Sequence, residues 1–312
     1  MTARQLSFVV RRLVLIVAAS ALAVCAAITP TPSPREALAT LIAAEQAFAA
    51  RSVADGMRAA FLANFADDGL MFSPQPVNAK RVLAAQPPEG ATRAVRLEWS
   101  PAAAAVTASE DVGFTTGPFA LVDTRSGKAA EHGVFFSIWR REAGARWQVV
   151  IDAGVTTPTA VSKSALAPAP ALDLTIAPSE GRVFAGREPA DFESRARAVA
   201  LAGGAGGGYA DWFAADGRLQ QNGFAPVIGR EQIHAHLLRP GTAPAKATFS
   251  PEGSGIANDR RLAWTYGRLT LAERADAPPG LDEGWYVHLW ARDPEGRWRL
   301  IVATVLETRE RR

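Results

Sequence analysis

Cysteine is almost absent: Cys25 is the only one in 312 residues. It falls inside an N-terminal apolar run, so the domains that follow hold no disulfide, no thiolate metal site and no cysteine nucleophile. A second long apolar span is missing too, and with it any further membrane-crossing candidate. Charge of one sign is equally scarce. The chain carries 34 Lys and Arg against 31 Asp and Glu, but Arg4, Arg11 and Arg12 lie in residues 1–27, which hold no acid. What remains is balanced, with basic residues interspersed among acids, and nucleic acid is not expected as a partner. Also absent are a serine-nucleophile motif, a metalloprotease helix and a dinucleotide fingerprint. The glycine run Gly203–Gly208 has neither the preceding strand nor the lysine and serine of a phosphate loop, and it reads as a bend.

The N-terminal run has its own logic. Arginines precede Leu13–Val24, small residues follow at Cys25, Ala26 and Ala27, and a Thr/Pro loop comes next. That is the layout of a secretory leader, implying cleavage near Ala27 and a periplasmic or secreted protein. Two other readings use the same residues, and only through them would a membrane be involved. An uncleaved leader would anchor the chain, and Leu22-Ala23-Val24-Cys25 resembles a lipoprotein box with Val24 where a small residue is usual, which would make a lipidated Cys25 the anchor. The length beyond the leader allows about two domains.

Those two domains are related. Gly133 and Gly284, Trp139 and Trp290, and Trp147 and Trp298 are each 151 residues apart, so one hairpin is written twice in one register. Phe65 and Phe213, Asp68 and Asp216, and Gly69 and Gly217 are separated by 148, while Ser100-Pro101 and Ser250-Pro251, and Gly117 and Gly267, are separated by 150. Each copy opens on helical patterns and continues in strands. In the first, Leu38, Leu41, Ile42, Glu45 and Phe48 form a mostly apolar helical stripe, and a short second helix carries Met57, Phe61 and Phe65 before an expected stop at Gly69. Val77 to Ala85 reads as a third small helix, and strands dominate after it. The expected organisation is a leader (1–27), a first domain (35–155), a Pro/Ala-rich linker (156–188) and a second domain (189–309). Helices followed by antiparallel strands make each domain α+β.

The helix pair, Phe65-Ala-Asp-Asp-Gly69, Trp99-Ser-Pro101, Thr115-Thr-Gly117 and the Gly133 to Trp139 strand with Arg146-Trp147 together resemble the nuclear transport factor 2-like superfamily. The likeness is to its SnoaL-like and ketosteroid-isomerase-like branches, whose functions are mostly unassigned. The resemblance implies two cones, each a curved antiparallel sheet wrapped over N-terminal helices with a pocket at the mouth. It also implies pairing of sheets, either between the two domains of one chain or in a homodimer.

Strand alternation is consistent with that shape. Val134, Phe136 and Ile138 point one way, as do Trp285, Val287 and Leu289, while Phe135, Ser137 and Trp139 or Tyr286, His288 and Trp290 point the other. Both faces are largely apolar, as expected of a sheet covered on both sides. Chemistry must come from polar residues on those faces. His288 and Tyr266 form a candidate acid/base pair in the second domain, although a satisfied core histidine is the commoner outcome. Candidate ligand contacts are Tyr209, Trp264, Tyr286, Phe135, Ser137 and Thr116. Asp152 is set aside because its counterpart is Ala303. His234 and His236 sit on a helical pattern where they diverge, so no metal site is expected, and no cofactor motif is present. The leading reading is an exported protein that binds a small apolar molecule or serves as an accessory. The alternatives are a cofactor-independent isomerase, cyclase or dehydratase acting through His288 and Tyr266, and a structural or partner-binding domain pair.

Overall fold

The computed structural model describes residues 34–73, 75–88, 94–166, 188–195, 199–203, 208–239, 246–272 and 282–307. The leader and residues 167–187 of the linker lie outside them. Among the described residues no helix is long and apolar enough to cross a membrane.

The first cone begins with α1 (Pro34–Asp55) and α2 (Met57–Asn64). On α1 one stripe is fully buried, Ala37, Leu41, Glu45, Phe48 and Ser52, at the three- and four-residue spacing of a helix face. Two strands, β1 (Phe65–Phe72) and β2 (Pro76–Asn78), precede α3 (Ala79–Ala85). Five strands of sheet follow: β3 (Val95–Trp99), β4 (Ala103–Val106), β5 (Val112–Asp123), β6 (Ala129–Arg140) and β7 (Gln148–Thr156). A single helical turn, α4 (Lys163–Leu166), leads out of the cone.

The second cone repeats the plan with shorter helices. It comprises α5 (Pro189–Arg195), β8 (Val199–Ala200), a 3-10 turn (Tyr209–Trp212), β9 (Phe213–Gln221), β10 (Val227–Ile228) and α6 (Arg230–Leu237). Its long strands are β11 (Lys246–Ile256), β12 (Leu262–Ala272), β13 (Asp282–Arg292) and β14 (Trp298–Glu307).

Each sheet has seven strands, ordered β2-β1-β7-β6-β5-β3 with β4 also on β5, and β10-β9-β14-β13-β12-β11-β8. The architecture is α+β in two curled sheets, as the sequence implies, but each sheet contains one parallel pair, β1 with β7 and β9 with β14. That pairing corrects the reading of Gly69 as a helix stop. The helix ends at Asn64, Phe65 is already extended, and Gly69 lies inside β1 at a register shift. A Cβ at Gly69 would sit 2.7 Å from the Val149 carbonyl oxygen, and one at Gly217 would sit 2.8 Å from that of Leu300. Both glycines let one strand pass close to its parallel neighbour.

The cones meet sheet to sheet. One core cluster joins Phe114, Val134, Phe136 and Ile138 of the first sheet to Leu262, Val287, Leu289 and Ile301 of the second. The helices cover the opposite faces, closing separate cores around Phe48, Phe65 and Trp139 and around Tyr209, Phe213 and Trp290. Contacts across the seam come in matched pairs. Gln220 Nε2 donates to Thr116 Oγ1 at 2.8 Å, and at the equivalent positions the rings of Phe72 and Tyr266 meet edge to face at 6.0 Å. The turns at Ser109 and Asp259 exchange bonds: the Ser109 amide donates to Asp259 Oδ2 and the Asp259 amide to Ser109 Oγ, both at 3.3 Å.

The repeated Trp of each hairpin is held by a repeated Arg, Arg141 lying 4.5 Å over Trp147 and Arg292 4.3 Å over Trp298. Only Trp147 is fully committed: it is 5% exposed and its indole donates to Thr40 Oγ1 at 3.1 Å. Trp298 is half-buried and its indole nitrogen has no partner among the described residues. We expect Trp147→Ala to cost about 3 to 5 kcal/mol and Trp298→Ala clearly less, an order that denaturant midpoints of the two variants will check.

Candidate functional site

A glutamate on the N-terminal helix reaches into the heart of each cone. In the first, Glu45 of α1 accepts Thr115 Oγ1 (2.5 Å) and Trp139 Nε1 (3.0 Å) on Oε2, and Trp99 Nε1 (2.5 Å) on Oε1. Burial pushes its carboxyl above the ordinary range, while the bonds from Thr115, Trp99 and Trp139 pull the other way. In the second, Glu193 of α5 accepts Thr265 Oγ1 at 3.0 Å, and Trp290 Nε1 donates to that hydroxyl at 3.1 Å. Glu45 and Glu193 are 148 apart, Thr115 and Thr265 150, Trp139 and Trp290 151. The duplication therefore includes a buried Glu, Thr and Trp.

Around that shared frame the cones differ. In the second, His288 Nδ1 lies 2.6 Å from Glu193 Oε1, His288 Nε2 lies 2.8 Å from the Tyr209 hydroxyl, and Tyr286 donates to Glu193 Oε2 at 2.8 Å. A proton on Nδ1 aimed at the carboxylate leaves Nε2 to accept from Tyr209, which satisfies every member. The chain Tyr209, His288, Glu193 has the form of a nucleophile, base and orienting acid, but it has no room to work. Among the described residues Glu193 and His288 have no exposed surface, and the adjoining void, about 20 Å³, is lined by Tyr209, Phe249, Gln221 and aliphatic side chains and not by His288. Burial, with Glu193 adding to it, raises both tyrosines well above their ordinary range, so they remain phenols. The arrangement is a satisfied polar core.

The expected partner of His288 is elsewhere. Tyr266 pairs in register with Val287 and points with it to the seam between the sheets, packing on Phe72. The residue beside His288 on the neighbouring strand is Thr265. Trp264 and Thr116 also belong to the seam. Tyr209 and Tyr286 do join His288. Phe135 and Ser137 lie in the first cone, where they meet Asp152.

That first cone keeps a cleft of about 130 Å³, lined by Phe61, Leu97, Trp99, Phe119 and Phe135, with Asp152 among them. Ser137 Oγ donates to Asp152 Oδ2 at 2.7 Å, and Oδ1 has no partner among the described residues. Although half-open to the cleft, Asp152 is held away from bulk water by its apolar walls. This burial pushes its carboxyl up to about 7, helped by the nearby Glu45 and opposed by the Ser137 bond. Sequence reasoning missed Asp152 by requiring a counterpart in the other copy, and missed Glu193 because its helix is too short for a periodic stripe. Among the described residues no group of His, Cys, Asp and Glu could hold a metal ion.

No protein-family profile matches the chain and no curated protein does. Solved structures are similar to one cone's length of it. A conserved protein from Planctomyces limnophilus is 21% identical over 38% of this chain and 95% of its own, with a TM-score of 0.28. A cystatin-like-fold protein of unknown function from Nostoc punctiforme is 19% identical over 33% of this chain and 75% of its own, with a TM-score of 0.27. An NTF-2 like protein of unknown function from Shewanella oneidensis is 18% identical over 31% and 78%, with a TM-score of 0.25. These are similarities of fold alone.

A pH dependence follows from Asp152. Its folded carboxyl titrates at about 7 against an ordinary 3.8, so between those values the folded protein holds the extra proton. The stability linked to that proton is present at low pH and is lost as pH rises from about 4 through about 7. Asp152→Asn keeps an acceptor for Ser137 and abolishes the titration. It is expected to raise Tm by about 2 to 4 °C at pH ~8 and to leave it nearly unchanged at pH ~4, read from thermal melts at both.

Proposed function

We propose that the first cone binds a small, mostly apolar molecule and that the second cone acts as its accessory partner, filled within and covering the first sheet's outer face. The observation that carries this reading is the cleft with Asp152 on its wall. Aromatic side chains there exclude water, and a single convergent polar group can orient what enters, the usual make-up of a ligand site. Its volume of about 130 Å³ is near the roughly 150 Å³ of an apolar cavity that takes up benzene. A single ring fits, and Trp99 also borders an open groove between α1 and β3 into which a longer molecule would extend.

A second reading has its own support. A carboxyl that titrates near neutrality can give and take protons as a general acid or base. An isomerase, cyclase or dehydratase step without a cofactor would then run through Asp152 in the first cone, and His288 would have no part in it.

Titration with benzyl alcohol tests the site. Amide NMR shifts are expected at Phe135, Asp152 and Gly154, and Leu97→Trp, which fills the cleft, should abolish them; shifts absent, or unaffected by that variant, would refute the reading. Export is proposed alongside, on the strength of the leader's layout in residues 1–27. The intact mass of protein recovered from cells should lack residues to about Ala27, whereas a full-length mass or a diacylglycerol adduct on Cys25 would contradict it.

A further inference from the structure

We propose that the molecule held in the first-cone cleft is a small organic ammonium, its cationic head paired with Asp152 between aromatic walls. The proposal rests on the reading of that cleft as a ligand site, and goes further by naming the charge of what it takes.

Several other carboxylates of this cone have cations beside them: Asp67 lies 2.6 Å from Lys80, Asp68 2.8 Å from Arg140, and Glu110 3.1 Å from Arg141. Asp152 has none among the described residues. The elements packed around it contribute Phe61 from α2, Leu97 and Trp99 from β3, Phe119 from β5, and Phe135 and Ser137 from β6, none of them cationic. Among the described residues the one charged group acting on it is Glu45 of α1, which is of the same sign, and both Glu45 oxygens are already taken by Trp99, Thr115 and Trp139. A carboxyl drawn out of water is ordinarily paired. Here Ser137 bonds one oxygen, and the residue lines the cavity.

The walls suit a cation as well as they suit a ring. Phe61, Trp99, Phe119 and Phe135 all border the cleft, and Trp99 stands 6.2 Å from Phe61 and 6.5 Å from Phe135, ring centre to ring centre. Aromatic faces attract an ammonium most strongly where water is excluded. An anionic ligand would meet Asp152, with Glu45 nearby, and no counter-charge among the described residues. The second cone supplies the contrast within the molecule: Ala303 stands where the first has Asp152, and its glutamate is satisfied internally by His288, Tyr286 and Thr265. The unneutralised carboxyl and the space beside it occur together, in one cone only among the described residues.

Calorimetric titration of the full chain with benzylammonium and with benzyl alcohol, which match in size and differ in charge, tests this at two pH values. At pH ~8, with Asp152 ionised, the ammonium is expected to bind about tenfold more tightly than the alcohol. At pH ~5 protonation of Asp152 removes the counter-charge, and the preference should fall to near parity. Asp152→Asn should lose the preference at both pH values while still binding the alcohol; because the pH comparison uses the unaltered protein, a variant that fails to fold does not weaken the test. Equal binding at pH ~8, or a preference for the alcohol, overturns the inference and leaves the ligand site standing. Binding of neither compound, or binding that Leu97→Trp does not reduce, overturns the ligand site itself.

Discussion

The packing of one sheet's outer face on the other's is the constraint from which the rest of this structure follows. A half-covered sheet with Val134, Phe136 and Ile138 on its outer face, or one with Val287 and Leu289, would leave a broad apolar surface in water, and a chain carrying both sheets can bury the two faces at once. Because side chains alternate strictly along a strand, fixing which residues enter the seam also fixes which enter the cones. Tyr266, Trp264 and Thr116 are assigned to the seam by that rule. Thr265, Tyr286 and His288, each one position away, are turned inward.

Inside, both cones inherited the same difficulty, a glutamate carried on the first helix into an apolar core. The common solution is a threonine hydroxyl and an indole N–H at equivalent positions, and the cones diverge in what completes it. The second adds His288, Tyr286 and Tyr209, three bulky side chains that saturate Glu193 and take up the interior. The first has Ser137 and Phe135 at the matching strand positions, leaves the space open, and places a second carboxyl in it. A satisfied network rigidifies a core, whereas a partly satisfied one is the costlier arrangement and usually has a use. On that ground the less tidy cone is the better candidate for function.

Much of this was legible in the residues themselves. The constant offsets near 150 revealed two copies, helices before strands gave the class, and two apolar strand faces anticipated both the covering helices and the sheet-to-sheet seam. What failed was pairing across strands. His288 and Tyr266 were joined because both are polar aromatics in neighbouring strands, but contact depends on register, and Tyr266 pairs with Val287. Glu193 was hidden by its short helix, although the 148-residue offset already seen between Phe65 and Phe213 leads from Glu45 directly to it. Asp152 was discarded for want of a counterpart. Comparing duplicated halves finds what holds the fold, since each half must fold; it filters out whatever only one half does.

That filter explains why the proposed site lies in a difference between the copies. A duplicated pair of cones needs only one open pocket, and the other can then trade space for packing. Ser137 to His288 is such a trade: the imidazole fills volume and supplies Glu193 with a donor. Ala303 at the position of Asp152 removes the unneutralised carboxyl. In the first cone the reverse set persists, a small hydroxyl, a carboxyl raised by burial and by Glu45, and aromatic walls without a cation. Of these the carboxyl is the one that is unfavourable in an empty interior, and an ammonium held between the aromatic walls would relieve it, which favours a ligand over packing as the reason for their coincidence in one cleft.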